Sequence, residues 1–165
     1  MPDMPPEEHR LTPNTLPTPF SAEQIRAACA PGRSNTFRVD RPDAAPYLMQ
    51  WEFVGGDDEG ADSVRWTEAL DGTRLEDRMT SRSRWIEFQG HASYPAGSTT
   101  IGTDTIEIPA GRFECWLYTT RSDDGEVTRA WFARNLPGPP VLVRSEAGGA
   151  VAFSSTLVRF ADPRE

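Results

Sequence analysis

Apolar and polar residues alternate through the last third of the chain, as expected for β-strands, whose side chains point to opposite faces in turn. Phe113, Cys115 and Leu117 share one face of the first long segment, while Trp116 and Tyr118 share the other. The pattern predicts strands over residues 105–108, 112–121, 127–133, 141–146 and 151–160. Because short turns join these segments, we expect an antiparallel meander.

Turn residues separate the predicted strands. Asp124-Gly125 lies between two of them, and a two-residue hairpin turn of this composition requires positive φ at both positions. Residues 135–140 contain three prolines, which lack the N–H group of a strand ladder. We therefore expect a hairpin at the first place and a turn at the second.

The same alternation occurs upstream. It predicts strands over residues 35–41, 47–54, 63–70 and 73–80. Asp71-Gly72 gives a second hairpin signal between the last two, and residues 57–60 form an acidic loop. Residues 92–103 show no regular pattern and predict an irregular stretch. The whole chain therefore carries about nine predicted strands.

Helical spacing is clearest shortly after the first prolines. Ser21 and Gln24 have the spacing of a capping box, and Ile25, Ala28 and Cys29 form an apolar stripe. A Pro-Gly pair then ends the pattern. This segment predicts one short helix.

Residues 83–91 admit two interpretations. As a helix, Trp85 and Phe88 share a face, and Ser81 or Ser83 is available as the N-cap. As a strand, Ile86 and Phe88 share a face. The helix fits the polar positions better, so a second short helix is predicted here.

Length and composition favour one domain. The chain has 165 residues with 15 prolines and 13 glycines, which suits a turn-rich β protein. The predicted fold class is mainly β (α+β): a curved antiparallel meander that forms a half-barrel or a barrel, with one or two short helices packed on it. Residues 1–19 hold six prolines and are predicted to be a disordered or draped tail, before a single β half-barrel domain over residues 20–165.

Charge and residue usage exclude several classes of function. The net charge of −8 argues against a nucleic-acid partner, since affinity for phosphates depends on basic residues. No lysine is present, which excludes Schiff-base chemistry and a Walker-type phosphate loop. No apolar run is long enough to span a membrane, and the first residues lack the pattern of a signal peptide, so we expect a cytoplasmic protein.

Aromatic residues are the most distinctive feature, with five tryptophans in the chain. Large rigid rings can line an apolar cavity and orient a ligand head group through the indole N–H. On that interpretation Trp51, Trp116, Trp131 and Phe132 are the candidate ligand-binding residues on the concave face of the sheet. The alternative is that the rings form the core, which a small sheet protein also needs.

Candidate chemistry is sparse elsewhere. His91 and Glu87 are the candidate catalytic pair, because residues four apart meet on one face of a helix. The alternative is a histidine that interacts with the helix end. One usable histidine and two distant cysteines do not make a zinc site, and the acidic loop lacks the spacing of a calcium loop. The sequence predicts no metal and no cofactor.

Three segments near the C-terminus carry a family resemblance. They are Ile-Pro-Ala-Gly-Arg-Phe-Glu-Cys at 108–115, Ala-Trp-Phe-Ala at 130–133 and Leu-Pro-Gly-Pro-Pro-Val at 136–141. The pattern resembles uncharacterised bacterial proteins of the DUF3108 kind. That resemblance implies a half-barrel similar to the lipoprotein carriers LolA and LolB, in which a curved sheet embraces helices, with hydrophobic-ligand binding by analogy.

Three functional hypotheses follow from these observations. The first is binding of an apolar or amphipathic small molecule in the concave face of the sheet. The second is a small hydrolase or isomerase that uses His91 and Glu87. The third is a protein-interaction module, with a second copy of the chain as the partner.

Overall fold

The computed structural model describes residues 4–163. Within that range the chain forms nine β-strands, two α-helices and a turn of 3-10 helix at Glu7–His9. The helices are α1 (Ala22–Ala28) and α2 (Trp85–Gly90). The strands are β1 (Ser34–Arg41), β2 (Ala44–Gly56), β3 (Gly60–Ala69), β4 (Arg74–Arg84), β5 (Thr99–Ile108), β6 (Gly111–Arg121), β7 (Val127–Ala133), β8 (Leu142–Ala147) and β9 (Ala150–Ala161).

All nine strands belong to one antiparallel sheet in the order β4-β3-β2-β1-β9-β8-β7-β6-β5. Strands that follow one another in the chain are paired, apart from β4 and β5, and β1 closes the gap to β9. The predicted mainly β fold is confirmed. Among residues 4–163, β4 and β5 are the two edges and do not pair with each other, so the sheet is curved and open.

One row of directly opposed residues crosses eight of the nine strands, from β3 to β5, and defines the inner face of the sheet. Residues that oppose one another across a ladder project to the same side. The row consists of Ala69, Tyr47, Val39, Ser155, Val143, Ala130, Tyr118 and Ile101. Because side chains alternate, Trp51 and Phe132 share this inner face, whereas Trp131 lies on the outer face.

The two Asp-Gly hairpins are present, but their turns differ from the expected type. Gly72 and Gly125 have φ of 93° and 88°, while no residue other than glycine in the described range has positive φ. The N–H of Gly125 bonds to the carbonyl of Ser122, and that of Gly72 bonds to the carbonyl of Ala69. These are longer turns in which a glycine alone takes the left-handed conformation.

The prediction of an irregular stretch over residues 92–103 is wrong in its second half, since β5 begins at Thr99. Thr99 and Thr120 share a hydrogen bond of 3.0 Å, and Ile101 opposes Tyr118 on the inner face. Threonine and glycine give this segment little apolar alternation. Pairing with β6 therefore decides its structure, rather than its own sequence pattern.

Both predicted helices are confirmed. Ser21 and Gln24 form the predicted capping box of α1. The N-cap of α2 is Arg84 rather than a serine, because β4 runs directly into the helix and the Glu87 side chain accepts from the Arg84 N–H at 2.7 Å. No helix among the described residues is long and apolar enough to cross a membrane.

The segment before α1 packs against the inner side of the molecule. His9 and Thr18 are buried, and the His9 Nδ1 lies 2.9 Å from the Thr18 carbonyl oxygen. Gln89 of α2 donates to the Thr18 hydroxyl oxygen and accepts from the Ala22 N–H, so it joins the segment to both helices. The division of the chain at residue 19 stays a prediction.

Candidate functional site

A cavity of about 240 Å³ lies between the inner face of the sheet, the two helices and the loop after β7. Its walls are mainly apolar rings and aliphatic side chains. They include Phe20, Ile25, Trp51, Phe53, Phe88 and Phe132. The volume exceeds the ~150 Å³ that holds benzene in an engineered protein cavity and is slightly below the usual range for drug-sized ligands.

The sequence places these rings by alternation along β2 and by helical spacing along α2. Trp51 and Phe53 are two residues apart, so both point to the inner face. Phe88 of α2 packs on both, with ring centroids 6.1 and 6.0 Å away. Trp85, one helical turn earlier, donates from Nε1 to the Asp57 carbonyl and fixes α2 against the β2–β3 loop.

Trp51 differs from most of the other tryptophans in its hydrogen bonding. Trp66, Trp85 and Trp131 donate to Glu68, Asp57 and Asp104 respectively. The Nε1–H of Trp51 is buried and has no acceptor among the described residues, although the side chain lines the cavity. A buried donor without a partner costs about 1–3 kcal/mol, and native proteins rarely leave one.

Arg65 lies directly opposite Trp51 in the β2–β3 register and also lines the cavity. Its guanidinium carbon is 4.2 Å from the centre of the Trp51 ring, in cation–π geometry. No carboxylate of the described residues lies within ion-pair distance of Arg65. Arg65 keeps an exposed surface, but partial desolvation of its guanidinium lowers its pKa, although a guanidinium stays charged in proteins.

The side chains of the predicted catalytic pair share no hydrogen bond in the described structure, although the His91 backbone N–H donates to the Glu87 carbonyl at 3.1 Å. His91 is exposed at the cavity, where its ring meets the edge of Phe88 at 6.3 Å. Glu87 caps its own helix instead. The N–H of Arg84 holds the pKa of the Glu87 carboxyl below its usual range, and the nearby His91 has a smaller effect in the same direction.

The four predicted ligand-binding residues are not all brought together. Trp51 and Phe132 line the cavity. Trp116 opposes Phe132 in the β6–β7 ladder and packs on Phe20, with ring centroids 6.1 Å apart. Its side chain does not line the cavity. Trp131 lies on the outer face of the sheet, where its Nε1 donates to Asp104 at 2.9 Å.

The two cysteines do not form a disulfide with each other and lie on different sides of the sheet. Cys29, the C-cap residue of α1, lines the cavity. Cys115 faces the outer side, and burial raises the pKa of its thiol to about 12. Within residues 4–163 there is no cluster of three or more histidine, cysteine, aspartate or glutamate side chains that would hold a metal ion.

Sequence reasoning did not identify Arg65 as a site residue. In the sequence, Arg65 is a positively charged residue next to Trp66 in a predicted strand. Alternation alone does not tell which of these two side chains faces inward. The register with β2 decides this. Tyr94 was also missed; it lines the cavity from the connection after α2, and burial raises the pKa of its phenol to about 12.

The fold and the site together define an open antiparallel sheet that holds a small aromatic cavity on its inner face. Comparison of the chain with family models, with curated proteins and with solved structures found no match. The resemblance to DUF3108-like half-barrels stays a prediction.

Proposed function

We propose that the protein binds a small apolar or amphipathic molecule in the cavity between the sheet and the two helices. The observation that carries this proposal is an apolar cavity of about 240 Å³ whose lining includes Trp51, a side chain with a buried Nε1–H that has no acceptor among the described residues. An acceptor on a bound molecule would satisfy this donor and remove the cost of its burial.

The size of the cavity limits the ligand. By proportion with the ~150 Å³ that holds benzene, 240 Å³ accepts roughly ten non-hydrogen atoms. A molecule of this size with an apolar body fits the aromatic walls. A full lipid with long acyl chains does not fit within the cavity.

Calorimetric titration with 1-octanol tests the proposal, because this molecule has the right size and no charge. We expect saturable binding with a dissociation constant below about 1 mM, which corresponds to about −4 kcal/mol. Native mass spectrometry of the purified protein gives a second measurement. It is expected to show one bound molecule per chain.

A cavity-filling variant provides the matched control. Ala92 is buried and lines the cavity, whereas Ala96 lies four residues on and is exposed. Ala92→Leu is expected to weaken 1-octanol binding at least about tenfold, by occupying part of the space. Ala96→Leu should leave it unchanged. Equal binding by both variants, or no binding by the natural protein, would refute the proposal.

The other hypotheses stay predictions. The hydrolase or isomerase hypothesis rests on His91 at the cavity, with Glu87 engaged in capping. The interaction hypothesis rests on the edge strands β4 and β5. A cytoplasmic location and the absence of a nucleic-acid partner likewise stay predictions.

A further inference from the structure

We infer that the ligand is a small amphipathic carboxylate, whose apolar body occupies the cavity and whose head group pairs with the Arg65 guanidinium beside the Trp51 Nε1–H. This inference rests on the proposed function and adds the chemical class of the ligand. It combines two donors on directly opposed residues, Arg65 of β3 and Trp51 of β2.

Arg65 lines the cavity, and the described lining residues include no aspartate or glutamate. The wall therefore carries a positive charge that no neighbouring carboxylate within ion-pair distance compensates. A ligand with a negative charge completes the pair, and the apolar surroundings strengthen the attraction.

One other arginine that stacks on a tryptophan ring lies on the outer face of the sheet and provides a comparison. Arg78 lies 4.3 Å from the centre of the Trp66 ring, close to the distance in the Arg65–Trp51 pair. Arg78 also has Glu52 at 3.7 Å, and the Trp66 Nε1–H donates to Glu68 at 2.7 Å. In the outer pair both polar groups have carboxylate partners, whereas in the cavity pair both lack them.

A guanidinium presents a planar fork of N–H groups that matches the two oxygens of a carboxylate. One guanidinium offers one positive charge, which a singly charged carboxylate neutralises. The indole N–H supplies a further donor at the same wall, and an aliphatic or aromatic tail of a few carbons fills the remaining volume.

A series of eight-carbon probes below micelle-forming concentrations tests this inference by calorimetry. Octanoate, 1-octanol and octylammonium share one chain length and differ in the charge of the head group. We expect octanoate to bind about tenfold or more tightly than 1-octanol, and octylammonium more weakly than either. Octanoate should bind more tightly because a hydrogen bond to a charged carboxylate is stronger than one to a neutral hydroxyl.

Variants at the two stacked arginines localise the effect. Arg65→Gln is expected to weaken octanoate binding about tenfold and 1-octanol binding by clearly less. Arg65→Lys should restore part of the affinity, because it keeps the charge without the fork. Arg78→Gln, at the matched pair on the outer face, should change neither. Both arginines are exposed, so these variants are expected to fold.

Each outcome has a distinct meaning. If 1-octanol binds as tightly as octanoate, or if Arg65→Gln binds octanoate like the natural protein, the carboxylate inference is overturned and the cavity proposal stands. If neither octanoate nor 1-octanol binds, both the cavity proposal and the carboxylate inference are wrong. Trp51→Phe, which deletes the Nε1–H, should weaken octanoate more than 1-octanol.

Discussion

The phenolic hydroxyl of Tyr118 donates a hydrogen bond of 2.6 Å to the carbonyl oxygen of Pro17, which precedes it by 101 residues. Both residues are almost completely buried. Burial also raises the pKa of the Tyr118 phenol, so the donor stays protonated. The bond attaches the segment before α1 to the middle of β6, and this segment supplies Phe20 to the cavity wall.

Tyr118→Phe is expected to lower the free energy of unfolding by about 1–3 kcal/mol, because it leaves the buried Pro17 carbonyl without its donor. Urea denaturation followed by tryptophan fluorescence measures this. Tyr94→Phe is the matched control, since the neighbouring Tyr94 ring lies 5.3 Å away and its hydroxyl has no bonding partner among the described residues. An equal effect of the two substitutions would contradict the assigned role of the bond.

Arg33 joins α1 to the loop after β7. It is 1% exposed and donates to the carbonyls of Ala28 and Pro137 at 3.1 and 3.2 Å, and to the side chain of Asn35. Arg33→Met is expected to lower the free energy of unfolding by at least about 3 kcal/mol, because several buried acceptors lose their donor together.

The matched control for Arg33 is Arg26→Met, at an exposed position of α1. It should change the free energy of unfolding by less than about 0.5 kcal/mol. Chemical denaturation of both variants in the same buffer gives the comparison. A small effect at Arg33, with a transition as cooperative as in the natural protein, would show that the loop does not depend on this side chain.

The acidic loop between β2 and β3 predicts a dependence of stability on pH. Hydrogen bonds from the N–H groups of Glu59 and Gly60, and then from Arg82, lower the pKa of Asp57 from its ordinary value of about 3.8. The lowered pKa means that the carboxylate stabilises the folded state at pH values above the ordinary one. This stabilisation is lost as the pH falls through the lowered folded value.

Asp57→Asn is therefore expected to lower the melting temperature at neutral pH and to reduce its fall below pH 4. Thermal unfolding between pH 2 and 7 measures the difference. Asp58→Asn, at the adjacent exposed position, should keep the acid dependence of the natural protein. If the two variants lose stability in parallel on acidification, Asp57 is not the group responsible.

The order of the sheet followed from local patterns because almost every strand pairs with its neighbour in the chain. Local sequence patterns did not predict which residues of β3 face inward, because β2 contains a bulge between Phe53 and Gly55. If the Gly56–Ala61 register continued without this bulge, Trp66 would oppose Trp51 and Arg65 would face outward. One extra residue exchanges the faces, and this backbone irregularity has no simple sequence signal.

The sequence predicted those site residues whose direction depends on a single strand. Trp51 and Phe132 follow from strand alternation, and both line the cavity. Glu87 and His91 have the spacing of the predicted side-chain contact, but the Glu87 carboxylate accepts a hydrogen bond from the Arg84 N–H instead. The Glu87 carboxylate can bond either to the His91 side chain or to a backbone N–H at the start of the helix. Which one it bonds depends on where the helix begins, and the sequence pattern of β4 did not predict that residue.

Two tryptophans with equal burial give a direct measure of the unsatisfied donor at the cavity. Trp51 and Trp85 are each 6% exposed, but only the Trp85 indole has an acceptor, the Asp57 carbonyl. Both substitutions to phenylalanine remove similar apolar area. Trp85→Phe also breaks the partly buried hydrogen bond to the Asp57 carbonyl, whereas Trp51→Phe removes a donor that has no partner among the described residues. Without ligand, Trp51→Phe should therefore destabilise the protein less, by about 1–3 kcal/mol. Saturating octanoate should narrow this difference, because it stabilises the natural protein and Trp85→Phe, which both keep the Trp51 indole donor, more than it stabilises Trp51→Phe. If Trp51→Phe costs as much as Trp85→Phe without ligand, the Trp51 N–H already has a partner in solution.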